Sequence, residues 1–126
     1  MLLDTCTALW LAADSDELSK RAKTLFEAPA NAVYLSAVSA WEISLKYSIG
    51  KLPLPSSPDE FVPELRERGR MESLPLNEEA TLQLFRLPEL HRDPFDRMLI
   101  CQAIAGGMTL LTPDPEIRRY PVSTAW

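Results

Sequence analysis

The chain has 126 residues, of which 46% are hydrophobic and 25% charged, and its formal net charge at pH 7 is −5. This composition is that of a folded domain with its own core, which excludes disordered and fibrous chains. No apolar run approaches the roughly 20 residues of a membrane span, and the acidic balance disfavours a protein that coats nucleic acid through bulk positive charge. A polyanionic substrate would have to be met by local arginines or through a bound cation.

The first half of the chain alternates short apolar runs with helical patterns. The predicted elements are a strand at 1–4, a helix from 5 to 13, a helix at 15–27 capped by Asp14 and Ser15, a buried strand at Val33–Ser36 and a helix at 37–49. The last of these helices carries one apolar stripe, formed by Val38, Trp41, Leu45 and Ile49. Gly50 ends that helix, and the proline-rich segment 52–58 is a connection without a helix.

The second half continues the alternation. The predicted elements are a polar helix at 59–68, a strand at Glu72–Leu76, a helix at Asn77–Arg86, a strongly apolar helix at 94–105, a strand at Met108–Leu111, a helical turn at Pro115–Arg119 and a last strand at Val122–Thr124. Strands that alternate with helices predict an α/β fold, in which helices cover both faces of a mostly parallel sheet. The length predicts a single domain over residues 1–126.

The cysteines and the histidine argue against a disulfide framework and against a zinc site. Cys6 and Cys101 lie in apolar segments, where we expect small buried residues in a reducing compartment. Two isolated cysteines and His91 cannot supply four zinc ligands, and we expect His91 to be a surface or capping group. The first residues lack a basic leader, so we expect no signal peptide and a cytoplasmic location.

Acidic side chains follow two of the predicted strands. Asp4 ends the first strand, and Asp114 comes shortly after the strand at Met108–Leu111. Ligands of open α/β sheets bind at the carboxyl ends of the strands, and both residues are predicted to lie at that edge. Asp4 and Asp114 also have a purely structural explanation, because each precedes a helical segment that it could cap.

Three further acids lie on predicted helices, and each again has two explanations. Asp93 and Asp96 open the apolar helix, where they could serve only as an N-cap and as a favourable charge at the helix dipole. Glu42 lies next to Trp41 on the apolar stripe and could simply pair with Lys46 at i+4. A surface ion pair, however, does not require a glutamate on an apolar stripe.

Convergence of these acids would demand a counter-charge. Two carboxylates at ~4 Å repel each other by about 4 kcal/mol at an effective dielectric constant near 20. Such a cluster either keeps protons or binds a cation, and oxygen ligands without histidine or cysteine select Mg²⁺ or Mn²⁺. The consequent chemistry is hydrolysis of a phosphodiester bond.

Four segments resemble the PIN-domain ribonucleases, and specifically the VapC-type toxins of bacterial toxin–antitoxin pairs. They are LLDT at 2–5, LSAVSAWEISLK at 35–46, HRDPFDRMLICQA at 91–103 and LLTPDPEIRRYPV at 110–122. The resemblance implies a PIN-like three-layer α/β/α fold around a mostly parallel sheet of four to five strands. It also implies an endoribonuclease that uses Mg²⁺ or Mn²⁺, forms a homodimer and binds a cognate antitoxin.

The same resemblance assigns roles to individual residues. It implies four catalytic acids, Asp4, Glu42, Asp96 and Asp114, of which Asp4, Asp96 and Asp114 bind the metal. Asp93 is a possible additional acid, ranked behind Asp96 because Asp96 precedes the apolar stripe of its helix. The expected supporting hydroxyl groups belong to Thr5, Ser39 and Thr112. Arg97 either contacts RNA, orients Asp96 or is an exposed arginine at the cap.

Two other kinds of protein remain as alternatives. A non-catalytic PIN-like module that binds RNA or protein would be free to lose one of the acids, and the set of four argues against it. A phosphoacceptor receiver domain needs a paired acid at the first strand end and a lysine after a late strand, and the chain has neither. We expect Trp10, Trp41 and Phe95 to pack in the core rather than to stack on bases.

Overall fold

The computed structural model describes residues 1–126. Its five strands are β1 (Leu2–Leu3), β2 (Tyr34–Ser36), β3 (Glu72–Leu74), β4 (Leu110–Leu111) and β5 (Thr124–Ala125). Its six α-helices are α1 (Thr5–Ala12), α2 (Lys20–Glu27), α3 (Ala37–Ser48), α4 (Pro58–Arg68), α5 (Glu78–Leu82) and α6 (Pro94–Gly106). Two 3₁₀ turns cover Gln83–Arg86 and Ile117–Arg119. None of the helices combines the length and the apolar character that a membrane crossing requires.

The strands form one sheet in the order β3-β2-β1-β4-β5, and every pairing is parallel. Leu2 of β1 lies opposite Tyr34 on one side and Leu110 on the other, so β1 is the central strand. All carboxyl ends therefore point to the same edge, and the loops that follow β1 and β4 are neighbours there. The prediction of an α/β fold with a parallel sheet is confirmed.

Helices cover both faces of this sheet because successive strand residues point in opposite directions. Leu2 and Leu110 belong to the apolar cluster on the α6 side, which contains Leu99 and Ile100. The next residues, Leu3 and Leu111, belong to the second cluster, which contains residues of α1, α2, α3 and α4. The four strand leucines are fully buried, and each such side chain contributes about 1.5–3 kcal/mol through its transfer from water.

Several element boundaries differ from the predictions, among them the last two strands, which are shorter or shifted (β4, Leu110–Leu111; β5, Thr124–Ala125). Two of the differences have clear local reasons. Helix α2 begins at Lys20 with Ser19 as its N-cap, whose hydroxyl accepts from the Ala22 N–H at 2.9 Å. The predicted caps Asp14 and Ser15 are wrong, since Asp14 has a positive φ of 49° in the turn after α1. Strand β3 ends at Leu74 because the next residue, Pro75, has no N–H to continue the ladder.

Helix α3 buries a different face from the predicted stripe. Its buried residues are Val38, Ser39, Glu42 and Ile43. Trp41 is 56% exposed, so its predicted core position is wrong, although its ring meets Phe95 edge-on at 4.8 Å. Cys6 is exposed, contrary to expectation, whereas Cys101 is buried as expected. The polar residues Ser39 and Glu42 thus lie on the buried face of α3.

Candidate active site

Asp4 is the most buried acid at the carboxyl edge of the sheet, with 4% of its surface exposed. It is the N-cap of α1, and its Oδ1 accepts from the Thr7 N–H at 2.7 Å. Its Oδ2 accepts a short hydrogen bond from the Thr112 hydroxyl at the end of β4. Burial raises the pKa of Asp4 although these hydrogen bonds favour its charged form. The hydrogen bonds therefore fix the carboxylate in place but do not fully offset the cost of burying its charge.

Thr112 links the two strand ends that were predicted to converge. Its hydroxyl donates to Asp4 and accepts from the Asp114 N–H at 3.1 Å. Asp114 in turn accepts from the Glu116 N–H at 2.9 Å through Oδ1, which orders the turn after β4. The parallel pairing of β1 with β4 is what brings Asp4 and Asp114 together.

Glu42 reaches the same region from the buried face of α3. Its side chain is 7% exposed, and Oε2 pairs with the Lys46 ammonium group one turn later. Oε1 is buried and has no hydrogen-bond partner. A second link fixes the helix behind it, because the Thr5 hydroxyl donates to the Ser39 hydroxyl at 3.0 Å and both residues are buried. The i+4 ion pair and a position inside the site thus occur together.

The two aspartates of α6 have different surroundings. Asp93 is the N-cap, and its Oδ1 accepts from the N–H groups of Phe95 and Asp96 at 2.9 and 3.0 Å. The Oδ2 of Asp96 is 3.1 Å from Nε2 of His91. Burial raises the pKa of Asp96 to about 6, and the charges of Asp93 and Asp114 add to this shift.

All five predicted acids line one cavity of about 310 Å³. The lining comprises the carboxylates of Asp4, Glu42, Asp93, Asp96 and Asp114, the side chain of Lys46, and the uncharged residues Thr5, Cys6, Trp10, Pro113 and Pro115. Arg97 lies outside this lining, and its Nη1 donates to the Pro88 carbonyl at 2.9 Å and to the Tyr120 hydroxyl at 3.1 Å. Five carboxylates therefore face a single ammonium group.

The sequence model of the family described as PIN domain matches residues 1–122. The chain belongs to the PIN domain family. A curated relative, Ribonuclease VapC16 of Mycobacterium tuberculosis (strain ATCC 25618 / H37Rv), is 34% identical over 97 residues. The matched region covers 74% of this chain and 62% of that protein, so this PIN domain spans less than two thirds of that relative.

Solved structures share the PIN fold with this chain. VapBC2 from Rickettsia felis, bound to a DNA fragment from its promoter, has a TM-score of 0.74 at 18% identity, covering 99% of this chain and 97% of the other. DNA-bound VapBC from Salmonella typhimurium has a TM-score of 0.70 at 19% identity, and the match covers 98% of this chain and 95% of the other. FitAcB from Neisseria gonorrhoeae has a TM-score of 0.64 at 19% identity, and the match covers 98% of this chain and 94% of the other.

The donor set of this PIN domain fits a hard divalent cation. Carboxylate oxygens are the ligands that Mg²⁺ and Mn²⁺ prefer. The buried Oε1 of Glu42 has no hydrogen-bond partner in the protein, and a bound ion or its water would provide one. No three His, Cys, Asp or Glu side chains converge closely enough to bind one ion directly. Water would therefore supply part of the coordination, as is usual for Mg²⁺.

Two residues beside the acids were not among the predicted site residues. Lys46 was considered only as a surface partner of Glu42, yet it lines the cavity. His91 was expected to be a surface or capping group, which is wrong, because its side chain is 13% exposed and lies between Asp96 and Tyr120. Its partner Tyr120 is 29 residues away, and no local pattern reveals a pairing at that separation.

Proposed function

We propose that this chain is a metal-dependent endoribonuclease that hydrolyses RNA phosphodiester bonds and is the toxic component of a toxin–antitoxin pair. The observation that carries the proposal is the cavity at the carboxyl edge of the sheet, where five carboxylates face one ammonium group. Membership of the PIN domain family and the likeness to Ribonuclease VapC16 support it.

Asp4, Asp96 and Asp114 would hold Mg²⁺ or Mn²⁺, at least in part through bound water, and Glu42 would complete the shell. The bound ion would supply an activated water and neutralise phosphate charge. The protein's own contribution is rigidity, since the Thr112 hydroxyl and the Thr7 N–H fix both oxygens of Asp4. The Lys46 ammonium group is the basic side chain in the lining, and it would contact the phosphate of the RNA.

The test is cleavage of a mixed RNA pool by purified protein in Mn²⁺ and in excess chelator. We expect cleavage only with the ion, and loss of cleavage in Asp4→Asn. Asp16→Asn is the matched control because Asp16 is exposed and does not line the cavity. Full activity in chelator would refute the metal mechanism, and a folded protein that binds RNA without cutting it would favour the non-catalytic module.

An antitoxin would restrain this activity in the cytoplasm, and the charge of the cavity suggests how. An arginine or lysine from an extended antitoxin segment could pair with Asp4, Glu42 or Asp96 and displace the ion or its water. In a desolvated cleft, removal of one partner of a charge pair leaves the other charge buried and unpaired, which costs free energy. An antitoxin whose carboxyl-terminal basic residues are changed to alanine should still bind but inhibit cleavage much less. Unchanged inhibition would indicate occlusion instead.

A homodimer is the proposed assembly of the chain itself. Leu9, Trp10 and Leu11 are consecutive large apolar residues, and α1 leaves all three only half-buried. One helix face cannot cover three successive side chains, so part of this apolar surface is available to a second copy. Light scattering at micromolar concentration should give the mass of a dimer, and a monomer mass at every salt concentration would contradict the assembly.

A further inference from the structure

The hydroxyl group of Tyr120 is a hydrogen-bond centre just behind the acidic cavity. It accepts from the backbone N–H groups of Leu90 at 3.2 Å and His91 at 3.0 Å, and from Arg97 Nη1 at 3.1 Å. Tyr120 is 4% exposed, so water does not compete for these contacts. Its position, in the segment after the 3₁₀ turn Ile117–Arg119, ties the loop before α6 to the last part of the chain.

These contacts favour one tautomer of a neutral His91 ring. A phenol oxygen has two lone pairs and one proton, and the three N–H donors around it already exceed the two hydrogen bonds it can fully accept. The remaining close neighbour is Nδ1 of His91 at 2.7 Å. Every other contact of the hydroxyl is to an N–H donor, so its O–H proton is directed at Nδ1, which is then the acceptor in a neutral ring. Nε2 then bears the proton and donates to Oδ2 of Asp96 at 3.1 Å.

We propose that Tyr120 and His91 are positioning residues, which together orient the Asp96 carboxylate towards the cavity. The chain of hydrogen bonds runs from the Tyr120 hydroxyl through both nitrogens of His91 to one oxygen of Asp96. This holds Oδ2 and leaves Oδ1 for a ligand in the cavity. The inference rests on the proposed function, because it treats Asp96 as a ligand of the divalent ion.

His91 acts through Asp96 and not on the substrate. Both ring nitrogens are engaged, the side chain is 13% exposed, and the residue is not part of the cavity lining. Partners of this kind fix the orientation of a ligand, and their loss typically lowers metal affinity by about 10–100-fold. Arg97 belongs to the same unit, because it donates to the Tyr120 hydroxyl and to the Pro88 carbonyl.

Nitrogen-15 NMR can read the tautomer directly because the chain contains a single histidine. In the metal-free protein we expect protonated Nε2 and accepting Nδ1. Tyr120→Phe keeps the ring but removes the donor, so the tautomer should become mixed. Tyr34→Phe is the matched control, since Tyr34 packs partly buried against the same apolar cluster. A protonated Nδ1 in the neutral wild-type ring would overturn the assignment.

The second measurement is Mn²⁺ affinity by calorimetric titration. Tyr120→Phe and His91→Ala should weaken Mn²⁺ binding about 10–100-fold, whereas His91→Gln, whose amide N–H can reach Asp96, should recover part of the loss. The Mn²⁺ requirement for cleavage should rise while the KM for RNA stays unchanged. Unchanged Mn²⁺ affinity in folded His91→Ala, or a wild-type protein that binds no Mn²⁺, would overturn the positioning role.

Failure of this inference is separable from failure of the proposed function. The tautomer and the Mn²⁺ affinity are measured without RNA. A protein that binds Mn²⁺ through an oriented Asp96 but never cuts RNA would retain the positioning role and lose the nuclease activity. If the protein cuts RNA but Tyr120→Phe and His91→Ala bind Mn²⁺ as tightly as wild type, the nuclease activity stands and the positioning role is refuted.

Discussion

Replacement of Asp96 by asparagine should stabilise the metal-free protein at alkaline pH. Burial raises the pKa of Asp96 from 3.8 to about 6. Its side chain is 18% exposed, so solvent screens this effect only weakly. A shift of about two units corresponds to roughly 3 kcal/mol, at ~1.36 kcal/mol per unit. That is the penalty which the ionised carboxylate imposes on the folded state above pH 6. Asparagine is isosteric, carries no charge and can still accept from His91.

The pH dependence follows from the direction of the shift. Because the pKa is higher in the folded state, the folded protein binds the proton more tightly than the unfolded chain does. The contribution of Asp96 to stability is therefore complete below pH 3.8 and is lost as the pH rises to about 6. The advantage of Asp96→Asn should be about 1–3 kcal/mol at pH 8 and should vanish near pH 4.

Thermal unfolding in excess chelator measures this difference. For a chain of this length the melting temperature of Asp96→Asn should rise by about 3–12 °C at pH 8. Asp16→Asn, at an exposed position, should leave it unchanged. With Mn²⁺ present, wild type should have the higher melting temperature, because the ion stabilises only the protein that binds it. A variant that is less stable than wild type at pH 8, or equally more stable at pH 4 and pH 8, would refute the reasoning.

Three further substitutions test neighbouring contacts. Thr112→Val removes the donor to the buried Asp4 carboxylate, and urea unfolding without metal should show a loss of about 1.5–3 kcal/mol. Lys46→Gln removes the ammonium group that pairs with Glu42, so calorimetry should show tighter Mn²⁺ binding; equal or weaker binding would contradict competition between lysine and metal. Trp41→Ser should cost less than about 1.5 kcal/mol, the range of one aromatic contact, and a larger loss would indicate a core role.

The sequence was sufficient to predict the sheet and the convergence of the acids. Predicted strands alternate with helical segments along the chain, which favours parallel pairing and places the strand ends at one edge. Asp4 and Asp114 were expected to meet there, and Thr112 bridges them in the structure. The meeting of Asp4 and Asp114 follows from chain direction alone, whereas the approach of Glu42, Asp93 and Asp96 depends on how α3 and α6 pack.

The buried face of α3 could not be read from periodicity. The predicted apolar stripe contains Val38, Trp41, Leu45 and Ile49, but only Val38 of these is buried, and the other three are exposed. The structure instead buries Val38 together with Ile43 and the charged Glu42. Val38 and Ile43 pack in the two apolar clusters, and Glu42 is tolerated on the same face because Lys46 pairs with it and it borders a polar cavity. Apolar patterning alone misjudges a face that contains a site.

The capping and catalytic explanations of Asp4 are compatible, which explains why the sequence could not separate them. In a parallel sheet the helix that follows a strand begins at the carboxyl edge, so its N-terminus points into the ligand-binding crevice. An aspartate there accepts from a backbone N–H and is favoured by the helix dipole, as the Thr7 contact illustrates. The same geometry lowers the electrostatic cost of placing several carboxylates close together, as a cation site would require. Asparagine caps a helix about as well as aspartate, so Asp4→Asn removes the charge and keeps the cap. That is why this substitution, and not alanine, separates chemistry from folding at this site.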